Sequence, residues 1–179
     1  SFEIWVKLDQ MPSVGAENYV IVAKWEGAPN REFLWIIETD DKTRFLWRDG
    51  SGNEAWKYAT NALSDISGAW HHLAVTLDVS EQDCKMYLDG SPLAMDAAAG
   101  SAVAMQDTAV AFTIGAQNHS TPMNYIDGKV DEARLWGDVR TQEEITTNMN
   151  KQLVGSEAGL LFYTKFNNDL TDEALVETT

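Results

Sequence analysis

The segment Gly68–Asp78 followed by Lys85–Gly90 constrains the fold of this chain more than any other. Trp70-His71-His72-Leu73-Ala74-Val75-Thr76-Leu77 is an aromatic-led run ending in the acidic loop Ser80-Glu81-Gln82-Asp83, and Lys85-Met86-Tyr87-Leu88 then runs into an Asp89-Gly90 turn. Two short runs joined by a polar loop and closed by Asp-Gly read as paired antiparallel strands.

The same pattern recurs along the chain. Phe2, Ile4, Val6 and Leu8 alternate with Glu3, Trp5 and Lys7. Further runs cover 19–24, 32–37, 44–48, 54–58, 109–114, 128–136 and 160–166, with turn residues at 26–30, 40–42 and 49–53 between them. The small-residue stretch from Ala94 to Ala104 reads as an internal loop, because strand patterning resumes beyond it. One short helix is expected near residues 142–150. There Thr141-Gln142-Glu143-Glu144 has the form of a capping box, and Ile145 and Met149 share a face. Many strands, frequent turns and one helix over an edge predict an all-β antiparallel sandwich. Its 179 residues suit one domain spanning 1–179, with 167–179 as a trailing edge or the start of a linker.

Charge narrows the partners. Thirteen basic residues against 28 acidic ones give a net charge of -15, which repels nucleic acid and anionic membranes. Cys84 stands alone, so no intrachain disulfide and no Cys/His metal spacing exists; it reads as a small residue at a strand edge. No apolar run is long enough to span a membrane. The chain opens inside a strand pattern without an initiator Met, as a piece of a longer polypeptide would.

Four landmarks stand in order: Glu3-Ile4-Trp5-Val6-Lys7, Gly68-Ala69-Trp70-His71-His72-Leu73-Ala74-Val75, Tyr87-Leu88-Asp89-Gly90, and Gly128 to Trp136 running on into Thr141–Ile145. Together they resemble a laminin-G-like or pentraxin-like domain of the concanavalin A-like lectin/glucanase superfamily. The resemblance implies a jelly-roll sandwich of two curved sheets, here lacking its first strand. It implies a lectin-like carbohydrate-binding module of a larger extracellular or cell-surface protein, whose partners are glycans or a cell-surface protein beside other domains of the same polypeptide. A protein-interaction or structural spacer of an adhesin is the alternative on the same fold.

In pentraxin-like relatives the loop after an Ile/Leu-Gly pair supplies calcium ligands. Aligning Ile114-Gly115 there puts Gln117 and His119 where carboxylates would be expected, and a neutral set would bind calcium weakly. The turn from Glu26 to Arg31 falls at the partner loop. The resemblance thus implies calcium as a cofactor held by Glu26, Asn30, Gln117 and Asn118; a polar loop end without an ion is the alternative. Asn118-His119-Ser120 is also a formal glycosylation sequon.

A sugar needs an aromatic face for its ring and planar polar groups for its hydroxyls. The candidate ligand residues are Trp25, Asn30, Arg31, Gln117, Asn118, His119 and Tyr125 from or beside the two loops. Trp56, next to Tyr58, is a second platform, with sandwich packing as its other reading. His71 and His72 point to opposite faces of a strand and cannot act together. Asp131 and Glu132 are expected to oppose each other likewise, with Glu132 and Arg134 as an ion pair. No pair of carboxylates has the spacing that retaining glycosidases need. No nucleophile elbow or phosphate-cradling loop occurs. The expectation is a binder, not an enzyme.

Overall fold

The protein, described from a computed structural model, is defined over residues 1–119 and 121–167. Alternation at period two drives the architecture. In β1 (Phe2–Leu8) the side chains of Phe2, Ile4, Val6 and Leu8 are sealed in the core, while Trp5 and Lys7 are only partly buried on the other face. β1 pairs antiparallel on both sides, with β6 (His71–Asp78) and with β11 (Gly128–Trp136). β12 (Leu160–Thr164), β7 (Asp83–Leu88) and β8 (Ser91–Pro92) complete this first sheet, in the order β12-β11-β1-β6-β7-β8.

The second sheet runs β10-β2-β3-β4-β5-β9. Its members are β10 (Thr113–Ile114), β2 (Tyr19–Trp25), β3 (Arg31–Ile37), β4 (Thr43–Arg48), β5 (Glu54–Tyr58) and β9 (Ala99–Gly100). All strand pairs within the two sheets are antiparallel. The expected all-β jelly-roll sandwich is therefore the fold of the described residues.

Wide aromatic side chains fill the space between the sheets. Phe2 meets Trp35 edge-on at 6.0 Å, and Phe33 stacks on Phe45 at 6.0 Å. A buried indole N–H is costly to leave without an acceptor, and two of the core indoles find one. Trp35 Nε1 donates to Thr43 Oγ1 at 2.8 Å, and Trp47 Nε1 donates to the Ala102 carbonyl at 3.0 Å. The second contact fastens the small-residue stretch to the core. That stretch is an internal loop as expected, and it also contributes β9, which pairs with β5.

Four features depart from the sequence expectations. The run 109–114 pairs only at Thr113–Ile114, because Glu32 takes the Thr108 N–H and hydroxyl and Lys24 donates to the Thr108 carbonyl, drawing the chain off the ladder. A single turn of helix, α1 (Pro12–Gly15), follows β1. The later helix, α2 (Gln142–Asn148), has the expected capping box, with Thr141 Oγ1 accepting from Glu144 N–H and the Glu144 carboxylate accepting from Thr141 N–H. It covers the outer face of the first sheet instead of an edge, since Ile145 packs on Ala74 and Tyr87. Finally, β11 carries a bulge: Glu3 pairs with Arg134 and Trp5 with Asp131, and Glu132 sits at φ 50°.

The expectation for residues 167–179 falls, apart from Asn167, outside the described residues. No helix among the described residues is long and apolar enough to cross a membrane.

Gly100 shows how tightly the β5–β9 edge is closed. Its φ is +89°, and a Cβ there would lie 2.1 Å from the Glu54 carbonyl oxygen, a backbone atom that cannot swing aside. Gly100→Ala is expected to destabilise the protein by roughly 2–4 kcal/mol through strain plus the clash. A chemical-denaturation midpoint measures this directly, and an unchanged midpoint would contradict the packing described.

Candidate functional site

The outer face of the second sheet is built by the residues that the core leaves over. In β4 and β5 the cross-strand pairs on this face are Arg44 with Tyr58, Leu46 with Trp56 and Arg48 with Glu54. Val20, Ala23, Trp25, Leu34, Ile36 and Leu46 form an apolar layer on it, against which Trp56 packs. Long basic side chains then lie across that layer with their heads in water.

Charge pairing fixes those heads. Arg31 lies over the Trp25 ring at 5.2 Å and reaches Glu54 Oε1 at 3.2 Å; Arg48 approaches the same oxygen at 3.8 Å. Arg44 lies over Tyr58 at 5.2 Å and pairs with Glu38 at 2.6 Å. Burial pushes the Tyr58 phenol above its usual pKa, with Arg44 opposing the shift. The Nε groups of Arg31, Arg44 and Arg48 are buried without a hydrogen-bond partner. The result is a partly exposed indole and a phenol between guanidinium–carboxylate pairs, a surface of rings and planar hydrogen-bonding groups.

The structure divides the sequence-predicted ligand residues in two. Trp25, Arg31 and Trp56 share this face, with Asn30 on the turn beside it, where its amide donates to Glu26 at 3.4 Å. Trp25 is 7% exposed, so it supports the surface from below and offers no open ring. Gln117, Asn118, His119 and Tyr125 sit at the opposite end of β2. There Gly115 N–H bonds the Ile21 carbonyl, and Val20 N–H bonds the Asn124 carbonyl. Gln117 is buried and accepts from the Asn124 amide at 2.9 Å. Tyr125 is 56% exposed, above a shallow cleft that also holds Gln10, Glu17 and Asp127.

One joint site built from the two loops is thereby corrected. Antiparallel β10 carries its chain back toward Tyr19, whereas the Glu26 turn follows Trp25. Five residues of extended strand from Ile21 to Glu26 span roughly 17 Å. Calcium binds oxygens at about 2.3–2.6 Å, so one ion cannot take ligands from both Glu26/Asn30 and Gln117/Asn118. The four residues do not fit a single calcium site. Among the described residues no group of three or more His, Cys, Asp or Glu side chains converges on a point.

The expected opposition of Asp131 and Glu132 is corrected as well. The bulge at Glu132 brings both, with Arg134, into the wall of one cleft on the outer face of the first sheet. Glu132 and Arg134 do pair, at 3.0 Å. His71 and His72 do separate: His71 Nδ1 meets the Asp89 carboxylate at 2.8 Å, and His72 is fully buried 3.3 Å from Glu3. That last contact is close enough for an ion pair but out of hydrogen-bond alignment, for His72 Nε2 and Glu3 Oε2 both lack a partner.

Residues 1–146 match the sequence profile of the laminin G type described as the concanavalin A-like lectin/glucanases superfamily. A comparison with curated protein sequences returns no match. Among solved structures, a candidate carbohydrate-binding protein from Bacteroides ovatus aligns with TM-score 0.66 at 22% identity, over 92% of this chain and 44% of that one. The heptameric SAP-like pentraxin of Limulus polyphemus aligns with TM-score 0.54 at 12% identity, over 82% of this chain and 67% of that one. The receptor-binding domain of botulinum neurotoxin type G aligns with TM-score 0.54 at 10% identity, over 82% of this chain and 36% of that one. At these identities the structures share the fold. The chain spans less than half the length of the Bacteroides protein.

Cys84 belongs to the core and not to a site. It is fully buried, and desolvation pushes its thiol up to about 12. The folded protein is expected to leave a maleimide-type reagent unreacted at pH 8 and to consume one equivalent once denatured; fast labelling of the native chain would contradict the burial.

Proposed function

The chain belongs to the laminin G branch of the concanavalin A-like lectin/glucanases superfamily, and on that premise we propose that it is a non-catalytic, carbohydrate-binding module of a larger secreted or cell-surface protein. One observation carries the placement of the site: Trp56 and Tyr58 are partly exposed on the outer face of the second sheet, between the Arg44–Glu38 pair and the Arg31–Glu54–Arg48 cluster. A pyranose ring stacks on an indole through its C–H face, and its equatorial hydroxyls match guanidinium and carboxylate edges. The charge pairs are formed before any ligand arrives, so little ordering remains to be done on binding. The structural likeness to the candidate carbohydrate-binding protein supports the same reading.

The reaction side stays empty in this proposal. Glu54 is engaged by two arginines and Glu38 by one, which holds them as recognition groups. The reading needs no ion bridging the two loops, whose candidate ligands lie at opposite ends of β2.

A spacer within an adhesin is the second reading. The burial of Trp25 beneath Arg31 favours it, since that ring is closed to any ligand. An array of neutral and acidic oligosaccharides, probed with the purified chain in the presence of calcium and again with a chelator, decides between them. Binding is expected in both conditions. Trp56→Ala is expected to weaken the main glycan signals at least tenfold while leaving the thermal midpoint within a few degrees, the usual result of losing one stacking platform. Absence of any binding would overturn the lectin reading in favour of the spacer, and chelator-sensitive binding would overturn the metal-free mechanism.

A further inference from the structure

We infer that the outer face of the first sheet carries a second ligand site, a cleft between β1, β11 and the segment after α2 that takes a neutral sugar residue. It takes its ligand class from the lectin-like reading above but lies on the opposite side of the sandwich from Trp56. The two sites would make the module divalent.

The cleft has a volume of about 330 Å³, at the lower end of the range of roughly 300–1,000 Å³ for small-ligand pockets. Trp5, Trp70, Asp131, Glu132, Arg134 and Gln152 line it. Of the chain's seven tryptophans only Trp70 is exposed, at 42%. It precedes His72 by two residues, which puts it on the outer face of the sheet, and the Trp5 ring lies on the same face, 5.4 Å from His72. Trp5 is held in place, because its Nε1 donates to the Met149 carbonyl at 2.8 Å. One indole is therefore fixed as a wall and the other is left open to solvent.

The polar groups are organised from behind. The bulge brings Asp131 and Glu132 together in the wall. Tyr163 Oη donates to Glu132 Oε2 at 2.6 Å and Arg134 Nη2 donates to the same oxygen at 3.0 Å, so Glu132 is neutralised and pinned. Arg134 is fully buried and also donates to the Asn148 and Lys151 carbonyls at 2.9 and 2.6 Å, while its Nε has no partner. That Nε is closed off from the cleft, so Arg134 acts from behind by fixing Glu132 and the segment after α2 in place.

Asp131 supplies the acceptor. Its Oδ1 takes the Glu132 N–H at 2.8 Å, and no donor among the described residues reaches its Oδ2. Partial burial pushes its pKa up, as expected of a carboxylate facing a cleft instead of bulk water. Lys151, whose ammonium donates to Asn148 Oδ1 at 3.3 Å, also lines the cleft, and the exposed Asn150 and Gln152 add amides. A wall whose charges cancel, with one open indole and several single hydrogen-bonding groups, suits a polyol better than an ion.

The oligosaccharide array separates this proposal from the previous one when it is run with wild type, Trp70→Ala, Asp131→Asn and Trp56→Ala. Glycans of one class are expected to lose at least tenfold in signal with Trp70→Ala and with Asp131→Asn while keeping it with Trp56→Ala. Trp70 is exposed, so its loss should leave the thermal midpoint unchanged, and Asp131→Asn keeps the shape of the cleft. If every bound glycan depends on Trp56 and none on Trp70 or Asp131, the second site falls and the first stands. If glycans depend on Trp70 and Asp131 alone, the second stands and the first falls. If wild type binds nothing, both fall.

Discussion

The pairing of β1 on both of its edges is the constraint from which the rest of the architecture follows. Its even-numbered side chains are committed to the core, and its odd-numbered ones then have nowhere to go but the outer face. Glu3 is nevertheless 1% exposed, so that face is roofed as well. The roof is α2 and the segment after it. Trp5 Nε1 ties to Met149, and Arg134, the cross-strand partner of Glu3, ties to Asn148 and Lys151. A polar strand face with a roof of carbonyl groups is what allows a buried arginine, since the guanidinium needs five acceptors and open solvent is no longer there to supply them. The cleft at Trp70 is the part of this face where the roof ends.

Strand positions were legible because alternation leaves little freedom. Phe2, Ile4, Val6 and Leu8 had one possible inner face, and the Thr141–Glu144 capping box could only open a helix. What the helix would cover was not legible. Ile145 and Met149 mark an apolar stripe, yet nothing local says whether it meets an edge or the face formed by Ala74 and Tyr87, which lie some sixty residues earlier. The short pairing of β10 was hidden for a related reason. Ala109 to Ile114 has strand character, but the Glu32 and Lys24 side chains of neighbouring strands hold Thr108 and divert the run.

The site was legible in its residue types and not in its grouping. Trp25, Arg31 and Trp56 share one face, as an aromatic-and-planar-polar reading suggests. Gln117, Asn118, His119 and Tyr125 do not join them, because an antiparallel partner returns its loop to the far end of the strand, and loop order in sequence does not reveal which end. Trp70 could have been found: it leads a strand after Gly68, and the next residue on its own face is the polar His72. Asp131 and Glu132 could not, because the period-two rule that separates them holds only for a regular strand, and one bulged residue at φ 50° cancels it.

That bulge also explains how a sandwich acquires chemistry on a face that regular pairing would leave uniform. A regular β11 would place either Asp131 or Glu132 outward, and the other would meet the apolar inner layer at the cost of an unpaired charge. The extra residue spares the core that charge and gathers three ionisable groups at one point of the outer face. Tyr163 on β12 and the carbonyls after α2 then absorb the charge of two of them, Glu132 and Arg134. Asp131 is the remainder, and it stands beside the least covered tryptophan of the chain. On the other sheet the same end is reached without a bulge, by laying arginines across an apolar layer and pairing each with a carboxylate. Two physical routes thus produce rings beside prearranged polar groups on the two outward faces, while the space between the sheets is given over to packing.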